Sequence, residues 1–144
     1  MLLGKNNHSL DAKGRLIVPA KFREELGQVF VIAKAFDDRY INIYPLSTWN
    51  KLKEKLEGMS AFNKNAIRFR RFLFSDAYEC ESDPQGRFMI PSDLRDYAGI
   101  IKEVVSIGAD DHIEIWAKEG WQAYSENDNI INGDTLEEIS KLGF

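Results

Sequence analysis

The sequence predicts an α+β chain, mainly β, in which one structural unit is written twice. Three observations carry that reading. Residues 11–27, Asp11-Ala-Lys-Gly-Arg-Leu-Ile-Val-Pro-Ala-Lys-Phe-Arg-Glu-Glu-Leu-Gly27, are matched at an offset of 72 by residues 83–99, Asp83-Pro-Gln-Gly-Arg-Phe-Met-Ile-Pro-Ser-Asp-Leu-Arg-Asp-Tyr-Ala-Gly99. The match continues without a gap through Ile41/Ile113 and Ile43/Ile115 to Trp49/Trp121, and a register kept that long marks a duplicated unit. Within each copy, short runs rich in β-branched and aromatic residues alternate with short helical segments bracketed by Pro and Gly.

Each copy opens on a turn. The side chain of Asp11 or Asp83 can accept backbone N–H bonds two residues on, and Gly14 or Gly86 tolerates the positive φ that closes the turn. Arg15–Val18 and Arg87–Ile90 favour a strand. Pro19 and Pro91 end it, because proline cannot donate to a ladder, and they suit the first turn of a helix. The helices run over Ala20–Leu26 and Ser92–Ala98, with Gly27 and Gly99 where a left-handed cap is expected. Val29–Ala33 and Val104–Ile107 are apolar strands. Tyr40–Tyr44 and His112–Trp116 alternate with period two, which predicts one buried face each. Asp37-Asp38 and Asp110-Asp111 occupy the turns between them. A helix with Ser47 as N-cap places Trp49, Leu52 and Leu56 on one face and ends at Gly58. Its counterpart begins near Glu119.

The repeat divides the chain into a first unit at 1–59, a connecting helix at 60–75, a second unit at 76–125 and a tail at 126–144. In the connecting segment, Phe62, Ala66, Phe69 and Leu73 fit one helical stripe, and Lys64, Arg68 and Arg71 fit another. The tail carries a helix at Thr135–Leu142 and is expected to be mobile or engaged with a partner.

Composition excludes several classes. One cysteine, Cys80, allows no intrachain disulfide, and with only His8 and His112 no zinc framework forms. No metal and no cofactor is expected. The start, Met1-Leu-Leu-Gly-Lys-Asn-Asn, has too short an apolar run for a signal peptide. No stretch approaches the roughly 20 apolar residues of a membrane span. These features predict a cytoplasmic chain. A nucleophile–base set, a metal cluster and a phosphate loop are all missing, so neither an enzyme nor a small-molecule substrate is expected. The net charge of -4 hides a division. Residues 1–75 carry 14 Lys+Arg against 7 Asp+Glu, giving +7, and residues 76–144 carry 5 against 16, giving -11. Such a split suits a basic face for an anionic partner, although drift of surface charge between repeats produces it too.

The motif Asp-x-x-Gly-Arg, three apolar residues and Pro assigns a job to every position. The arginine leaves the turn at the first strand position, so Arg15 and Arg87 lie at the exposed end of a hairpin. A guanidinium fork can pair with two acceptors at once, on phosphate or on guanine O6/N7. Lys13, Lys21 and Arg23 widen the positive patch of the first copy. A two-stranded tip is thin enough to enter a major groove.

The two Asp-x-x-x-Arg motifs, each followed by a short strand, Pro and a helix, resemble the MraZ family of bacterial transcription regulators, as does the late strand Ile113-Glu-Ile-Trp116. The resemblance covers the chain to about Tyr124. It implies tandem AbrB-like swapped-hairpin units forming a double-split β-barrel with short flanking helices. It also implies a ring-shaped homo-oligomer, an octamer among the candidate sizes. Such a ring binds direct repeats in double-stranded promoter DNA upstream of the division and cell-wall operon, usually as a repressor, in the nucleoid-associated cytoplasm. It assigns DNA contact to Arg15 and Arg87. The copies differ in charge: residues 11–23 sum to +3, whereas residues 83–95 sum to zero because Gln85 and Asp93 stand where Lys13 and Lys21 do. Copy one is therefore expected to lead in DNA contact.

Other readings of the same residues remain. Arg15 and Arg87 can instead pair with their own aspartates or with a neighbouring chain. Lys64, Arg68 and Arg71 suit a solvated or intersubunit face better than a second DNA site. Trp49 and Trp121 suit core or interface packing rather than base stacking, and Cys80 reads as a small apolar residue. A structural or protein-interaction module, whose repeats serve assembly and whose basic hairpins meet an acidic partner, is the competing function.

Overall fold

A computed structural model describes residues 1–127 and 131–144. Among the described residues it is α+β, with eight strands and six helices. The order is β1 (Leu2–Ser9), β2 (Arg15–Ile17), α1 (Ala20–Leu26), β3 (Val29–Lys34), β4 (Ile41–Pro45), α2 (Leu46–Glu57) and α3 (Lys64–Ser75). The second copy follows with β5 (Tyr78–Glu81), β6 (Arg87–Met89), α4 (Ser92–Ala98), β7 (Glu103–Asp110), β8 (Ile113–Ala117) and α5 (Lys118–Ser125), and α6 (Gly133–Lys141) lies in the tail. The strands form a six-stranded sheet ordered β1-β7-β8-β4-β3-β5 and a two-stranded ribbon of β2 and β6. No helix among the described residues is long and apolar enough to cross a membrane.

The pairing interleaves the copies. β1 pairs antiparallel with β7, and β5 with β3, so each copy lends its first strand to the other. The two remaining strand pairings between copies are symmetric. Leu16 faces Phe88 in the ribbon and Asn42 faces Glu114 where β4 meets β8. Both are pairs of residues 72 apart, so a local two-fold axis passes through these points.

The register corrects the gapless repeat. Phe30 faces Pro45 as Val104 faces Ala117, and Glu81 faces Val29 as Ser9 faces Glu103. With β1 and β4 mapping onto β5 and β8 at 72, both ladders map β3 onto β7 at 74. Two residues are gained between α4 and β7 and two are lost in the turn before β8. The changes cancel before Ile113, which hides them from a comparison of sequence alone. β1 and β5 were not anticipated either. Gly4-Lys-Asn-Asn-His8 has little strand character of its own and is extended by pairing with β7. The close approach needs Gly108, where an added Cβ would lie 2.5 Å from the backbone of Leu2 and Leu3.

One core serves both copies. It joins Phe22, Leu26, Phe30 and Ile43 to Phe88, Leu94, Val104 and Ile113. Phe30 and Phe88 meet edge to face, with centroids 5.1 Å apart. Neither copy can bury its apolar face alone. Two smaller clusters cover the sheet's other side. Trp49, Leu52, Leu56 and Leu73 from α2 and α3 gather around Tyr44, and Trp121 and Tyr124 of α5 lie against Trp116. Both repeated tryptophans thus pack internally. This cover also buries all five residues of β4, where alternation predicted only one buried face.

Local corrections follow the same logic. α2 begins at Leu46 behind Pro45, with no side-chain cap, so Ser47 lies inside the helix. Gly99 is a left-handed cap at φ 66° and ψ 26°, whereas Gly27 combines φ 79° with an extended ψ of 174°. Phe62 falls outside α3 and is exposed, because Asn63 caps the helix through Asn65 N (2.9 Å) and Ala66 N (3.1 Å). α6 begins two residues before the expected start, at the Asn132 cap.

Candidate nucleic-acid interface

The two Asp-x-x-Gly-Arg segments fold alike. Asp11 Oδ1 accepts from Lys13 N (2.9 Å) and Arg15 N (2.8 Å), and Oδ2 accepts from Arg15 Nε (2.7 Å). Asp83 accepts in the same way from Gln85 N (2.9 Å), Arg87 N (2.8 Å) and Arg87 Nε (2.7 Å). Gly14 N and Gly86 N close the turns onto Asp11 O and Asp83 O. The arginines do pair with their own aspartates, as one reading of the sequence had it. Yet each pair uses only Nε. The side chains keep 27% and 32% of their surface in solvent, and a guanidinium held at Nε can still offer its two terminal Nη groups to acceptors. The ion pair also fixes where the fork points.

These bonds hold the Asp11 carboxyl below the usual carboxylate range. The Arg15 backbone N–H contributes most, and the Arg15 side chain and Lys13 N–H add to it. Arg87 and Gln85 lower Asp83 in the same order. A carboxyl depressed in the folded state stabilises the fold above its unfolded value of about 3.9, and that contribution disappears as pH falls through the lower folded value. Carbon-13 titration should therefore place both carboxyls below that ordinary value. Arg15→Ala should raise Asp11 only partly, since the backbone donors stay. An ordinary midpoint for both in the native protein would contradict the turn geometry.

β2 and β6 pair as a ribbon in which Leu16 and Phe88 point into the core. Arg15 faces Met89 across the ladder and Ile17 faces Arg87. Ile17 and Met89 are each 48% exposed. The outward face thus presents two arginines and two apolar side chains in two-fold array. Sequence reasoning missed Ile17 and Met89, although the period-two alternation of Arg-Leu-Ile and Arg-Phe-Met could have identified them.

The helix arginines brace the turns across the copies. Arg23 of α1 donates from Nε to Val18 O (2.9 Å) and lies on the second copy's turn, where a Cβ at Gly86 would be 2.7 Å from that Nε. Arg95 of α4, also missed from sequence, lies on the first copy's turn, where a Cβ at Gly14 would be 2.8 Å from Nη1. Gly14 and Gly86 hold φ of 79° and 81°, and a side chain at either would displace the end of the arginine packed on it. Arg23 is in this way tied into the scaffold of the ribbon. Lys13 is exposed on the first turn. Lys21 is exposed on α1, with its ammonium 5.1 Å from the centre of the Phe22 ring and against Gly4 of β1. The structure therefore brings Arg15 and Arg87 together on one ribbon, with Lys13 beside the first, and seats Arg23 and Lys21 against other elements. In the second copy Asp93 accepts from Tyr78 OH (2.7 Å).

Comparison with known proteins bears on this duplicated site. The family model described as "MraZ protein, putative antitoxin-like" matches residues 1–72 and again 73–139. The chain belongs to the MraZ family. A Transcriptional regulator MraZ of Thermoanaerobacter sp. (strain X514) is 44% identical over 142 residues, covering 99% of each chain. That of Clostridium acetobutylicum is 46% identical over 143 residues, again covering 99% of each. That of Caldanaerobacter subterraneus subsp. tengcongensis is 45% identical over 141 residues, covering 98% of this chain and 95% of its own. The double match of the MraZ model coincides with the two turns and with the exchange of strands between copies.

Proposed function

We propose that this chain is a sequence-specific DNA-binding transcriptional regulator, a repressor of the bacterial division and cell-wall gene cluster, that binds promoter direct repeats as a ring-shaped homo-oligomer. The observation that carries the proposal is the β2–β6 ribbon, in which Arg15 and Arg87 alternate with the core-facing Leu16 and Phe88. A two-stranded ribbon fits the major groove, where guanine offers O6 and N7 to an arginine fork and thymine offers a methyl group to an apolar side chain. Arg15 and Lys13 lead in this reading, Arg87 follows with less positive charge around it, and Lys21 and Arg23 support the backbone contact. The names of the relatives agree with it. The exchanged strands support two swapped-hairpin units, 1–59 and 76–125, joined by 60–75 as a double-split barrel, with 126–144 as a tail. The protein acts in the cytoplasm on nucleoid DNA.

Magnitudes favour an oligomer. One bidentate arginine–guanine pair discriminates by about 1–3 kcal/mol, whereas nanomolar binding needs about 12 kcal/mol. Linked copies on spaced repeats close that difference, because each later contact is intramolecular. Footprinting on the DNA upstream of the chain's own gene should reveal regularly spaced protection. Affinity should fall linearly on log–log axes as salt rises, by about 0.9 in slope per phosphate contacted. Absence of protection, or salt-independent binding, would overturn the proposal and favour a protein partner.

A further inference from the structure

We infer that the acidic C-terminal helix α6 of one copy docks on the basic face of α3 of a second copy, and that this is the contact that propagates the ring. The inference rests on the ring proposed above and names the surfaces that build it.

α3 carries Lys64, Arg68, Arg70 and Arg71 and no acidic residue. Among the described residues none of the four makes an ion pair. Ile67, Arg70, Arg71 and Phe74 recur at i, i+3, i+4 and i+7, so they share one face. They line an open cleft of about 470 Å³. An apolar floor flanked by arginines suits an amphipathic helix with acidic margins.

α6 has that chemistry. Leu136, Ile139 and Leu142 are spaced three apart, forming an apolar stripe, and all three are exposed. Asp134, Glu137 and Glu138 supply negative charge beside it. α6 buries none of its own residues, so its apolar stripe lacks cover among the described residues. The occupant is a second copy because the two surfaces are different: a contact of unlike patches runs head to tail, leaves one of each free at the ends, and is satisfied throughout when the array closes into a ring.

The test uses full-length chains and sedimentation velocity. Arg70→Glu with Arg71→Glu gives a chain whose α3 repels its neighbours' α6, and Glu137→Lys with Glu138→Lys gives the converse. Each variant alone is expected to drop from the native assembly to a smaller species. Mixed in equal amounts they should reassemble, since every α3–α6 contact between unlike chains is again complementary. A contact within one chain would not be restored by mixing. Native-size assembly of both variants alone, or a mixture that stays small, overturns the inference while leaving the ring in place. A native chain that sediments as a monomer overturns both. Arg70/Arg71 variants that keep native size but lose DNA would assign α3 to nucleic acid instead. Circular dichroism and melting check the fold, and Arg68→Glu with Arg71→Glu, at two exposed positions, replaces the first pair if it unfolds.

Discussion

Arg15→Ala is expected to lower affinity for the protected promoter repeats by about 30-fold or more, with oligomeric size unchanged and melting temperature nearly unchanged. The estimate follows from about 1–3 kcal/mol per bidentate contact, at 1.4 kcal/mol per factor of ten, for two copies engaged together. The turn should survive. Asp11 keeps the bonds from Lys13 N and Arg15 N, which belong to the backbone, and Gly14 keeps its bond to Asp11 O. What is lost is the guanidinium that Asp11 Oδ2 holds in place. Arg15→Lys separates charge from shape: it retains attraction for phosphate but not the fork, so it should restore nonspecific binding while leaving the preference for the repeats weak. Arg87→Ala should have a smaller effect, because Gln85 and Asp93 leave its turn with little additional positive charge. Fluorescence anisotropy on repeat and scrambled DNA measures all three. Normal binding by Arg15→Ala would remove Arg15 from the interface.

The contrast between what could and could not be read in advance has a physical pattern. Turns and the short helices are set by residues close in sequence, so Asp11, Gly14, Pro19 and their second-copy partners were readable from chemistry at fixed spacing. Features decided by contact across the copies were not. β1 is polar and becomes a strand through pairing with β7. β4 looks half-exposed until α2 and α3 cover its other side. The two-residue shift between β3 and β7 is visible only because two ladders agree on it. At the site, Arg15 and Arg87 were identified from the motif, but their meeting on one ribbon depends on β2 pairing with β6, residues 72 apart. The bracing roles of Arg23 and Arg95 are also products of that interleaving, since each arginine touches the turn of the other copy.

Phe88→Ala is expected to destabilise the protein by about 3–5 kcal/mol, the usual range for deleting a buried phenyl group. Phe88 is 4% exposed, lies opposite Leu16 in the ribbon, and meets Phe30 edge to face. Its removal opens a cavity at the place where the two copies share their core. Domains are stable by only about 5–15 kcal/mol, and a chain of this size loses roughly 2–4 °C per kcal/mol. A fall of about 6–20 °C in melting temperature follows. The consequence for binding is sharper than for folding. β2 and β6 are three residues each, and a two-stranded pair that short has little stability of its own. Leu16 and Phe88 are the anchors beneath the face that carries Arg15 and Arg87. DNA affinity should therefore drop at temperatures where the variant is still fully folded, because the arginines lose their fixed spacing. Phe88→Leu, which keeps most of the volume, should recover much of both losses. Met89→Ala, one residue away but outward, should leave stability within about 0.5 kcal/mol. Unchanged melting in Phe88→Ala would mean that the ribbon is not seated on the shared core, and the link drawn between that core and the DNA-facing arginines would fail with it.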